Sequence, residues 1–446
     1  RLKNQLSPKS FIIQFGFQNY PTEFEDAGLA KIAILKNNFP ENELCFADHL
    51  DGESEEALIM PVFAAQAGCT YVEKHVYYDQ METKYDKFSS VSYTNYTRLL
   101  SRMQNYTASF NEVFINDRES RYLEKSMQIP FLRKDVTKGS LISIATDLDF
   151  KRTDQKGLNV KEIKDLLDTH HILGSDKKAG EVLKREDFKK ATMATMVACR
   201  MKSSRLPKKA TAKIGDLTSI ELCLKNVLKF KHINHTILAT STLEEDAMLK
   251  DYTFNDTVVF HQGDPEDVIQ RFLGIIDELK VDVIMRLTGD CPYLSKDIQE
   301  IILKSHFESG ADYSTAPKAC IGMNVEIFNV NALRKIKSYF PYADYSEYMT
   351  YYVTNNPDYF KINRVELPEK YIRDYRLTLD YPEDLELFNK IEDHLKEKGL
   401  EFSATAVFEF LDANPELAEY NRHCTVVYKD NDELIQRINK ATTIVE

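Results

Sequence analysis

The sequence predicts an α/β protein of several domains. Two stretches of the chain alternate short apolar, β-rich runs with amphipathic segments, a rhythm typical of sheets covered by helices. A shorter stretch between them shows short strands and glycine-containing turns. With 446 residues, of which 43% are hydrophobic, the chain is long enough for two or three domains with separate cores.

Composition and charge argue against several classes of function. The net charge of -12 gives no overall basic field, so we expect no binding to nucleic acid or to an anionic membrane surface. No apolar run approaches the roughly 20 residues that span a bilayer, and no secretory pattern opens the sequence. Seven cysteines without CxxC pairs favour reduced thiols. We therefore expect a cytoplasmic protein.

The first α/β stretch, from Phe11 to about Phe110, contains three predicted strand–helix units. Its strands are predicted from the runs FIIQFGF, LCFADHL and YVEKHVY. Three units cannot close a barrel. The sequence also opens at Arg1 rather than at methionine, so we expect it to be a fragment of a longer polypeptide.

The middle segment, from about Ile129 to Lys190, carries two similar signals, DVTKGSLI and KKAGEVLKREDF, which predict a compact β-rich module. From Thr195 strands and helices are again predicted to alternate, and the predicted strands are ATMVACR, HTILATST, DTVVFHQ and VDVIMRLTGDCP. These runs predict one open sheet of about 200 residues with helices on its faces. Sheets of this kind bind ligands at the carboxyl ends of their strands.

A loop rich in cations, ACRMKSSRLPKKA, follows the first strand of that sheet. Arginine forks, lysine charges and hydroxyls on one loop suit the oxygens of a triphosphate. A solvated basic loop is the alternative. The polar side chains of the loop belong to Arg200, Lys202, Ser203, Ser204, Arg205, Lys208 and Lys209.

Two aspartates follow apolar runs further along the chain, Asp290 in MRLTGDCPYL and Asp380 in YRLTLDYPEDLELF. Carboxylates at strand ends can hold Mg²⁺ between the oxygens of a triphosphate. A helix cap before PEDLELF is the alternative for Asp380. Together with the basic loop, the two aspartates predict a metal-dependent nucleotide site.

Two histidines mark the ends of neighbouring strands in the first stretch. His49 ends the run FADH and His75 ends YVEKH, beside Asp48 and Glu73. Two imidazoles and a carboxylate suit Mn²⁺ or a similar divalent ion. Structural histidines with ordinary hydrogen bonds are the alternative.

The C-terminal motifs occur in the order seen in spore-coat-polysaccharide-type cytidylyltransferases, which resemble CMP-sialic acid synthetases. They are RMKSSRLPKK, ILATSTLEEDAM, VFHQGDPEDVIQRF, RLTGDCPYL, ADYSTA, GMNVEIF and RLTLDYPEDLELF, and they span nearly all of residues 194–425. The resemblance implies a Rossmann-like (GT-A-type) nucleotidyltransferase sheet that uses CTP and Mg²⁺ to form a CMP-activated 2-keto nonulosonic acid. Sialic, legionaminic and pseudaminic acid types all stay open.

The same resemblance implies roles for individual residues. Catalytic roles fall on Arg205, Lys209 and Asp290, and metal binding falls on Asp290 and Asp380. The implied nucleotide-binding residues are Arg200, Ser203, Ser204, Arg205, Lys209 and Arg286. The sequence departs from the family's usual loop, RMGSSRLPGK, at Lys202 and Lys208, where glycine permits close backbone approach or a positive φ, so we expect a reshaped phosphate cradle. Tyr348 also replaces the family's usual histidine.

The series FQNYPTEFEDAGLAKIAILKNNF, FADHLDGES, AGCTYVEKHV and YDKFSS resembles the later part of sialic acid synthase barrels. Those enzymes condense phosphoenolpyruvate with an amino-sugar aldehyde. The resemblance implies a partial TIM barrel over residues 1–115, with His49 and His75 as ligands of Mn²⁺. It places Gln18, Asn19, Tyr20, Glu73 and Asp86 around the substrates. The first strands of the barrel are absent from the sequence, so residues 1–115 alone are not expected to catalyse the condensation.

The segments LRKDVTKGSLISIATDLDFKR and KKAGEVLKREDF resemble the antifreeze-like (SAF) domain of those synthases. The resemblance implies a small SAF domain over residues 116–190, followed by the transferase over residues 191–446. Arg152 matches an arginine that reaches into the neighbouring subunit's site, which implies a homodimer. We therefore predict a bifunctional enzyme of nonulosonic acid biosynthesis. A non-catalytic scaffold with degenerate sites is the alternative, and a glycosyltransferase is disfavoured because TGDCP lacks a DxD motif.

Overall fold

The computed structural model describes residues 11–17, 19, 22–110, 113–203, 205–255, 257–424 and 431–445. The chain divides into two compact units, unit 1 (Arg1–Tyr122) and unit 2 (Leu123–Glu446). The division into three domains at 115/116 and 190/191 stays a prediction.

Unit 1 is built on a parallel three-stranded sheet. Its strands are β1 Ile12–Gly16, β2 Glu43–Asp48, β3 Tyr71–Lys74, β4 Val76–Tyr77 and β5 Val91–Ser92, and its helices are α1 Ala30–Asn38, α2 Met60–Ala67 and α3 Tyr93–Ser109. The sheet has the order β1, β2, β3, with Ile12 opposite Glu43 and Cys45 opposite Tyr71. Buried apolar side chains such as Phe46 fill one core.

The elements of unit 1 follow the three strand–helix units predicted from the sequence. In α2, Pro61 lies in the first turn and the helix ends at Gly68, whose φ of 110° lies in the left-handed region. α3 begins at a serine cap, where the Ser92 side chain accepts a hydrogen bond from the Asn95 N–H. Local capping signals therefore set the helix ends.

The first part of unit 2 is a small module of short strands. Helix α4, Asp117–Ser126, begins before the boundary at Tyr122 and ends after it. The elements of the module are β6 Gln128–Leu132, α5 Ile144–Asp147, β7 Leu148–Arg152, α6 Val160–Asp168, β8 His171–Leu173 and β9 Phe188–Lys190. β6 pairs antiparallel with β7, and β8 pairs antiparallel with β9. α6 begins with a capping box between Asn159 and Glu162. This module lies where the sequence predicts a compact β-rich segment.

The rest of unit 2 is built on a mixed seven-stranded sheet. Its strands are β10 Met193–Ala198, β13 His235–Ser241, β14 Val259–Gly263, β15 Val283–Thr288, β16 Tyr313–Thr315, β17 Glu326–Asn329 and β18 Ile362–Arg364, with a hairpin of β11 Lys213–Ile214 and β12 Leu217–Thr218 beside it. The order is β14, β13, β10, β15, β17, β16, β18. The four strands predicted from the sequence form the parallel part, β14 to β15.

Helices pack against this sheet. They are α7 Ser219–Val227, α8 Val268–Leu279, α9 Lys296–Ser309, α10 Val330–Tyr339, α11 Tyr351–Thr354, α12 Pro382–Lys398, α13 Ala404–Ala413, α14 Pro415–Ala418 and α15 Asp432–Thr442. In β10, Met193 and Val197 belong to one buried cluster, whereas Ala194 and Met196 belong to another. Successive strand residues point to opposite faces, so both faces of the central strand are covered. This confirms the mixed α/β sheet predicted for this part of the chain.

Two ion pairs, one of them with a buried carboxylate, join the small module to this sheet within unit 2. The carboxylate of Asp147 is fully buried and lies 2.6 Å from the Lys361 ammonium. Asp282 accepts hydrogen bonds from the Lys189 ammonium at 2.8 Å. Because a buried charge is stable only when paired, these contacts fix the module against the sheet.

All seven cysteines are free thiols, and six of them are buried. Among the described residues, no helix combines the length and the apolar character needed to cross a membrane.

Candidate functional site

A cleft of about 820 Å³ lies at the carboxyl ends of β10 and β15 in unit 2. Both strand ends line it, Ala198 on β10 and Thr288 on β15. The Gly289 N–H donates a hydrogen bond to the Ala198 carbonyl at 2.9 Å. A β-carbon at Gly289 would lie 2.8 Å from the Cys199 sulfur, so only glycine lets the two strand ends approach this closely. The cleft occupies the place that the sheet topology predicts for a ligand.

Lys209 bridges two carboxylates on the wall of this cleft. Its Nζ lies 2.7 Å from Asp290 Oδ2 and 3.0 Å from Asp380 Oδ1. Arg205 Nη2 lies 2.8 Å from the same Asp380 oxygen. The Leu379 N–H donates to the Asp290 carbonyl at 2.8 Å, which holds the two aspartate segments together. The structure thus brings the basic loop and both aspartates to one point. Asp290 lies two residues after β15, as predicted, whereas Asp380 lies just before α12 and follows no strand among the described elements, so its predicted position at a strand end is wrong.

Asp380 is held in place by a buried network. Arg376 Nη2 lies 2.9 Å from Asp380 Oδ2, and Arg376 Nε lies 3.1 Å from Asp384 Oδ1. Asp384 also accepts hydrogen bonds from the Asp380 N–H at 2.8 Å and from Asn421 Nδ2 at 2.7 Å. All four side chains are buried. Because buried ionic groups need fixed partners, the network sets the orientation of the Asp380 carboxylate.

The charge states of the cleft follow from these pairs. Burial alone would lower the pKa of the Lys209 ammonium, but the charges of Asp290 and Asp380 raise that pKa above its usual value. Burial alone would raise the pKa of the Asp290 carboxyl, but the charge of Lys209 lowers it below its usual value. Burial and the Asp290 charge raise the pKa of the neighbouring Cys291 thiol to about 12. At neutral pH Cys291 is therefore a neutral thiol and a poor nucleophile.

Two further arginines line the cleft beside glutamates. Arg286 Nη1 bonds the Glu326 carboxylate, and Arg286 Nη2 donates to the Glu347 carbonyl at 2.8 Å. Arg200 Nη2 lies 3.4 Å from Glu347 Oε2, and Arg200 Nη1 donates to the Pro265 carbonyl at 3.2 Å. Glu347 therefore connects the two arginines.

The basic loop keeps a glycine-like backbone without glycine. Lys208 has a φ of 58°, in the left-handed region that glycine adopts freely. Lys202 is not among the described residues with positive φ, and its exposed side chain lines the cleft. The start of the loop is anchored by the buried Asp246 carboxylate, which accepts a hydrogen bond from the Met201 N–H at 2.6 Å. The backbone shape is thus kept at Lys208 at a cost in strain.

The predicted nucleotide-binding residues largely meet at the cleft. Its lining includes Arg200, Arg205, Lys209 and Arg286. Among the described residues predicted for this role, Ser203 does not line the cleft. Ser204 lies outside the described residues. Tyr348, at the position of the family's histidine, also lines the cleft.

Positive charge prevails in the cleft. Among the residues that the structure describes, six basic side chains and four carboxylates line it, and such a surplus suits an anionic ligand. Arg205 and Lys209 both donate to Asp380 Oδ1, and donors gathered in this way suit several phosphate oxygens at once. The charged lining residues are Arg200, Lys202, Arg205, Lys209, Arg271, Arg286, Asp290, Glu326, Glu347 and Asp380.

A second candidate centre lies in unit 1. One ligand atom each from His49, Glu73 and His75 lies within 4.8 Å of the others, which is close enough to share one cation. The two imidazole rings are 5.4 Å apart, and His49 Nδ1 is 3.2 Å from the Phe17 carbonyl oxygen. Asp86, at a φ of 48°, places a carboxylate oxygen 3.7 Å from His75 Nδ1. The donor set of imidazole and carboxylate fits a divalent metal.

The remaining residues predicted around the synthase substrates are less completely described. Gln18 and Tyr20 lie outside the described residues. Asn19 is exposed, and its carbonyl accepts a hydrogen bond from Thr22 Oγ1 at 3.0 Å. The Thr22 N–H in turn donates to the His49 carbonyl at 2.9 Å, which brings this segment beside the histidine. Arg152 is exposed at the end of β7 in unit 2.

Several residues that shape the cleft were missed in the sequence. Arg376, Asp384 and Asp246 form its buried supports, and Glu326 orients Arg286. Arg376 precedes Asp380 by four residues in YRLTLD, and this short spacing could have indicated that the two side chains form an ion pair. Glu326 and Asp246 carry no such signal, because their partners lie far away in sequence.

Known protein families match two separate stretches of the chain. Residues 194–409 match the family described as Cytidylyltransferase, and residues 4–113 match the NeuB family. The spore coat polysaccharide biosynthesis protein SpsF of Bacillus subtilis (strain 168) is 30% identical over 229 residues, covering 50% of this chain and 95% of that protein. The uncharacterized protein MJ1063 of Methanocaldococcus jannaschii is 29% identical over 231 residues, covering 51% of this chain and 93% of that protein.

Among solved structures, a cytidylyltransferase from Leptospira borgpetersenii serovar Hardjo-bovis (strain JB197) is 27% identical, with a TM-score of 0.47, and the match covers 53% of this chain and 99% of that chain. The resemblances to cytidylyltransferases and to sialic acid synthases are confirmed by the two family matches. The resemblance of residues 116–190 to the SAF domain lies outside the matched residues and stays a prediction. Because the Bacillus protein is matched over nearly its whole length, the chain belongs to the cytidylyltransferase family of SpsF and carries a NeuB-family segment ahead of that domain.

Proposed function

We propose that unit 2 transfers CMP from CTP to the anomeric hydroxyl of a 2-keto nonulosonic acid and releases pyrophosphate. One observation carries the proposal. Arg205 and Lys209 meet Asp290 and Asp380 in the cleft of a cytidylyltransferase-family sheet. The NeuB-family match over residues 4–113 supports a sugar acid as acceptor, because the sialic acid synthases that unit 1 resembles make 2-keto sugar acids.

In this reaction the anomeric oxygen attacks the α-phosphorus of CTP, and the bond from that phosphorus to the pyrophosphate oxygen breaks. No covalent intermediate with the protein is needed, so the side chains act by positioning and by neutralising charge. Arg205 and Lys209 bind phosphate oxygens, and Arg200 and Arg286 add positive charge further along the cleft. Losing one such contact typically costs about 10² to 10³ in rate.

Asp290 and Asp380 would hold Mg²⁺ in this proposal. Their side chains border the cleft, with exposed fractions of 25% and 9%, and carboxylate oxygens are the donors that Mg²⁺ prefers. The ion would supply charge neutralisation at the triphosphate oxygens. Arg376 and Asp384 keep the Asp380 carboxylate oriented toward Lys209 and Arg205.

For unit 1 we propose a role in a nonulosonate synthase reaction that uses phosphoenolpyruvate and an amino-sugar. The proposal is supported by the compact group of His49, Glu73 and His75, which would bind Mn²⁺ or a similar divalent ion. Asn19, Asp86 and the exposed Arg152 are proposed substrate contacts, with Arg152 acting in a homodimer. The acid made by such a synthase would be the acceptor of the transferase, so that one bifunctional enzyme makes and activates the sugar.

Pyrophosphate release tests the transferase proposal. The purified chain is incubated with Mg²⁺, CTP or another nucleoside triphosphate, and a panel of sialic, legionaminic and pseudaminic acids together with 3-deoxy-octulosonate. We expect release with CTP and one class of nonulosonic acid. Arg205→Met should lower the rate by about 10² to 10³ because a phosphate contact is lost.

Arg334→Met is the matched control, since Arg334 is exposed and bonds only the exposed Asp277 among the ion pairs of the described residues. Its rate should stay within about twofold of the wild type, because exposed pairs contribute little. Tight CTP binding without pyrophosphate release across the whole panel would contradict the proposal and favour a non-catalytic scaffold.

A further inference from the structure

Lys209 lies between the two carboxylates that the proposed function assigns to Mg²⁺. Its ammonium is within 3.0 Å of an oxygen of each, and its side chain is only 17% exposed. The residue opens a short 3₁₀ turn, Lys209–Thr211, directly after the left-handed Lys208, so its backbone position is defined. Both oxygens of Asp380 are already bonded, Oδ1 by Lys209 and Arg205 and Oδ2 by Arg376, so a metal ion bound by both carboxylates would compete with the cations of the chain.

The group around Lys209 is already electrically balanced. Asp380 bonds two arginines as well as the lysine, and one of those arginines also bonds a second buried carboxylate. A bare divalent cation would add charge to a balanced, partly buried group, which is unfavourable at short range. The balanced set comprises Arg205, Lys209 and Arg376 against Asp290, Asp380 and Asp384.

A metal–nucleotide complex differs from a bare cation in its net charge and in the acceptors it brings. It remains an anion, so it matches the excess of basic side chains that line the cleft. Its phosphate oxygens also offer the Lys209 ammonium and the Arg205 guanidinium new acceptors in place of the carboxylates. The exchange therefore leaves neither the lysine nor the carboxylates without a partner.

We propose that Lys209 is the resident cation of this site and that the divalent metal enters only together with the triphosphate. The inference rests on the proposed function and adds an order of binding to it. When the metal–nucleotide complex arrives, the Lys209 ammonium leaves Asp290 and Asp380 and bonds phosphate oxygens. The carboxylate oxygens then become available to the metal, and Lys209 keeps its charge in both positions.

Binding of Mn²⁺ alone, followed by electron paramagnetic resonance of the free ion, tests this order. All proteins carry His75→Ala, which disrupts the candidate metal centre of unit 1 so that bound Mn²⁺ reports on the cleft. Without nucleotide, Lys209→Met should bind Mn²⁺ at least about tenfold more tightly than the His75→Ala background, because the competing ammonium is gone. CTP binds Mn²⁺ by itself, so a titration with CTP and no protein is subtracted; beyond that, adding CTP should tighten Mn²⁺ binding by the background protein by at least about tenfold.

Lys213→Met is the matched control, because Lys213 is an exposed lysine whose ammonium is 3.5 Å from the Asp216 carbonyl oxygen. It should bind Mn²⁺ like the background. Asp290→Asn added to Lys209→Met should remove the gained Mn²⁺ binding. Thermal unfolding checks that each variant is folded, and Lys209→Gln replaces Lys209→Met if the latter is not. Mn²⁺ binding that is unchanged or weaker on loss of the lysine overturns the inference.

The two proposals fail in distinguishable ways. The titration with metal alone contains no nucleotide and no sugar, so it reports on Lys209 whatever reaction the cleft catalyses. Pyrophosphate release that is absent with every acid defeats the proposed function. Tight Mn²⁺ binding by the background protein without nucleotide, together with normal pyrophosphate release, defeats only the order of binding.

Discussion

The two candidate centres differ in the groups that bond their carboxylates. In unit 1, the group formed by His49, Glu73 and His75 consists of donor atoms that suit a cation. In unit 2, each of the four carboxylates that line the cleft bonds a lysine or arginine of the chain itself. The first centre therefore suits a bare metal ion, whereas the second suits an anion that brings its own metal.

The supports of the two centres differ as well. Glu73 and His75 are about one-third exposed, and the residues around them come from strand ends and neighbouring loops of a three-stranded sheet. In unit 2, Asp380 is fixed by the buried Arg376 and Asp384, and the sheet is joined to a small module by an ion pair with the buried Asp147 carboxylate. A rigid support of this kind suits a reaction that proceeds by positioning.

The largest expected effect comes from Asp290→Asn in unit 2. The change removes a carboxylate that bonds Lys209 and that we assign to Mg²⁺, so pyrophosphate release should fall by about 10³. Steady-state rates with CTP and the preferred acid measure it. Asp277→Asn, at an exposed residue, is the control and should keep the wild-type rate. A rate for Asp290→Asn near that of the control would remove Asp290 from the mechanism.

The next effect concerns the contact between the small module and the sheet. Asp147→Asn should lower the free energy of unfolding of unit 2 by about 2 kcal/mol, because it removes the charged hydrogen bond from the Lys361 ammonium to a buried carboxylate. Urea denaturation at pH 7 measures this loss. An unchanged midpoint would show that the small module adds little to the stability of the sheet.

The same residue predicts a pH dependence. Burial would raise the pKa of the Asp147 carboxyl, but the hydrogen bond and charge of Lys361 and the Ser143 N–H lower it below its usual value. Its contribution to stability is therefore present above pH about 4 and declines as the pH falls through the lowered pKa. Asp147→Asn should lose this part of the acid sensitivity, measured as the difference in unfolding free energy between pH 7 and acidic buffers. Parallel pH profiles for both proteins would be the contrary result.

A smaller effect is expected at the centre of unit 1. Without nucleotide, we expect the wild-type chain to bind Mn²⁺ through unit 1 and not through the cleft. His49→Ala should weaken that binding at least about tenfold, because one of three ligands is lost. His423→Ala, at an exposed histidine of unit 2, serves as the control. Undiminished Mn²⁺ binding in His49→Ala would show that the ion binds elsewhere, and it would contradict the conclusion that the centre of unit 1 binds a bare metal ion.

The smallest effect is expected for Lys208→Gly. The left-handed backbone costs a residue with a β-carbon roughly 1 to 2 kcal/mol, and the greater freedom of glycine in the unfolded chain offsets about half of that gain. Thermal or urea unfolding should therefore show a stabilisation below about 1 kcal/mol. A clear destabilisation would mean that the Lys208 side chain makes contacts that outweigh the strain.

Local patterns in the sequence predicted much of this architecture. The alternation of apolar runs and amphipathic segments placed β1, β2 and β3 in unit 1 and the four parallel strands in unit 2. Such patterns are readable because the periodicity of burial is set locally, by the geometry of each strand or helix. The rule that ligands bind at carboxyl strand ends then indicated the cleft before any side chain was located.

The ion pairs between the small module and the sheet, and the bridge made by Lys209, were not predictable in the same way. Lys189 meets Asp282, and Lys361 meets Asp147, across long separations in sequence, and a lone charged residue does not indicate its partner. The bridging position of Lys209 was also hidden, because the sequence shows the cation and the two carboxylates in separate motifs. Only the three-dimensional arrangement shows that they neutralise one another.

The most direct test of the account is the fate of the α-phosphorus of CTP. Wild-type protein and Asp290→Asn are each incubated with [α-³²P]CTP, Mg²⁺ and the panel of nonulosonic acids, and the products are separated by charge. We predict that the label moves to a new CMP–sugar acid in the wild type and stays in CTP in the variant. Label that remains in CTP in the wild type with every acid, despite bound nucleotide, would contradict the account.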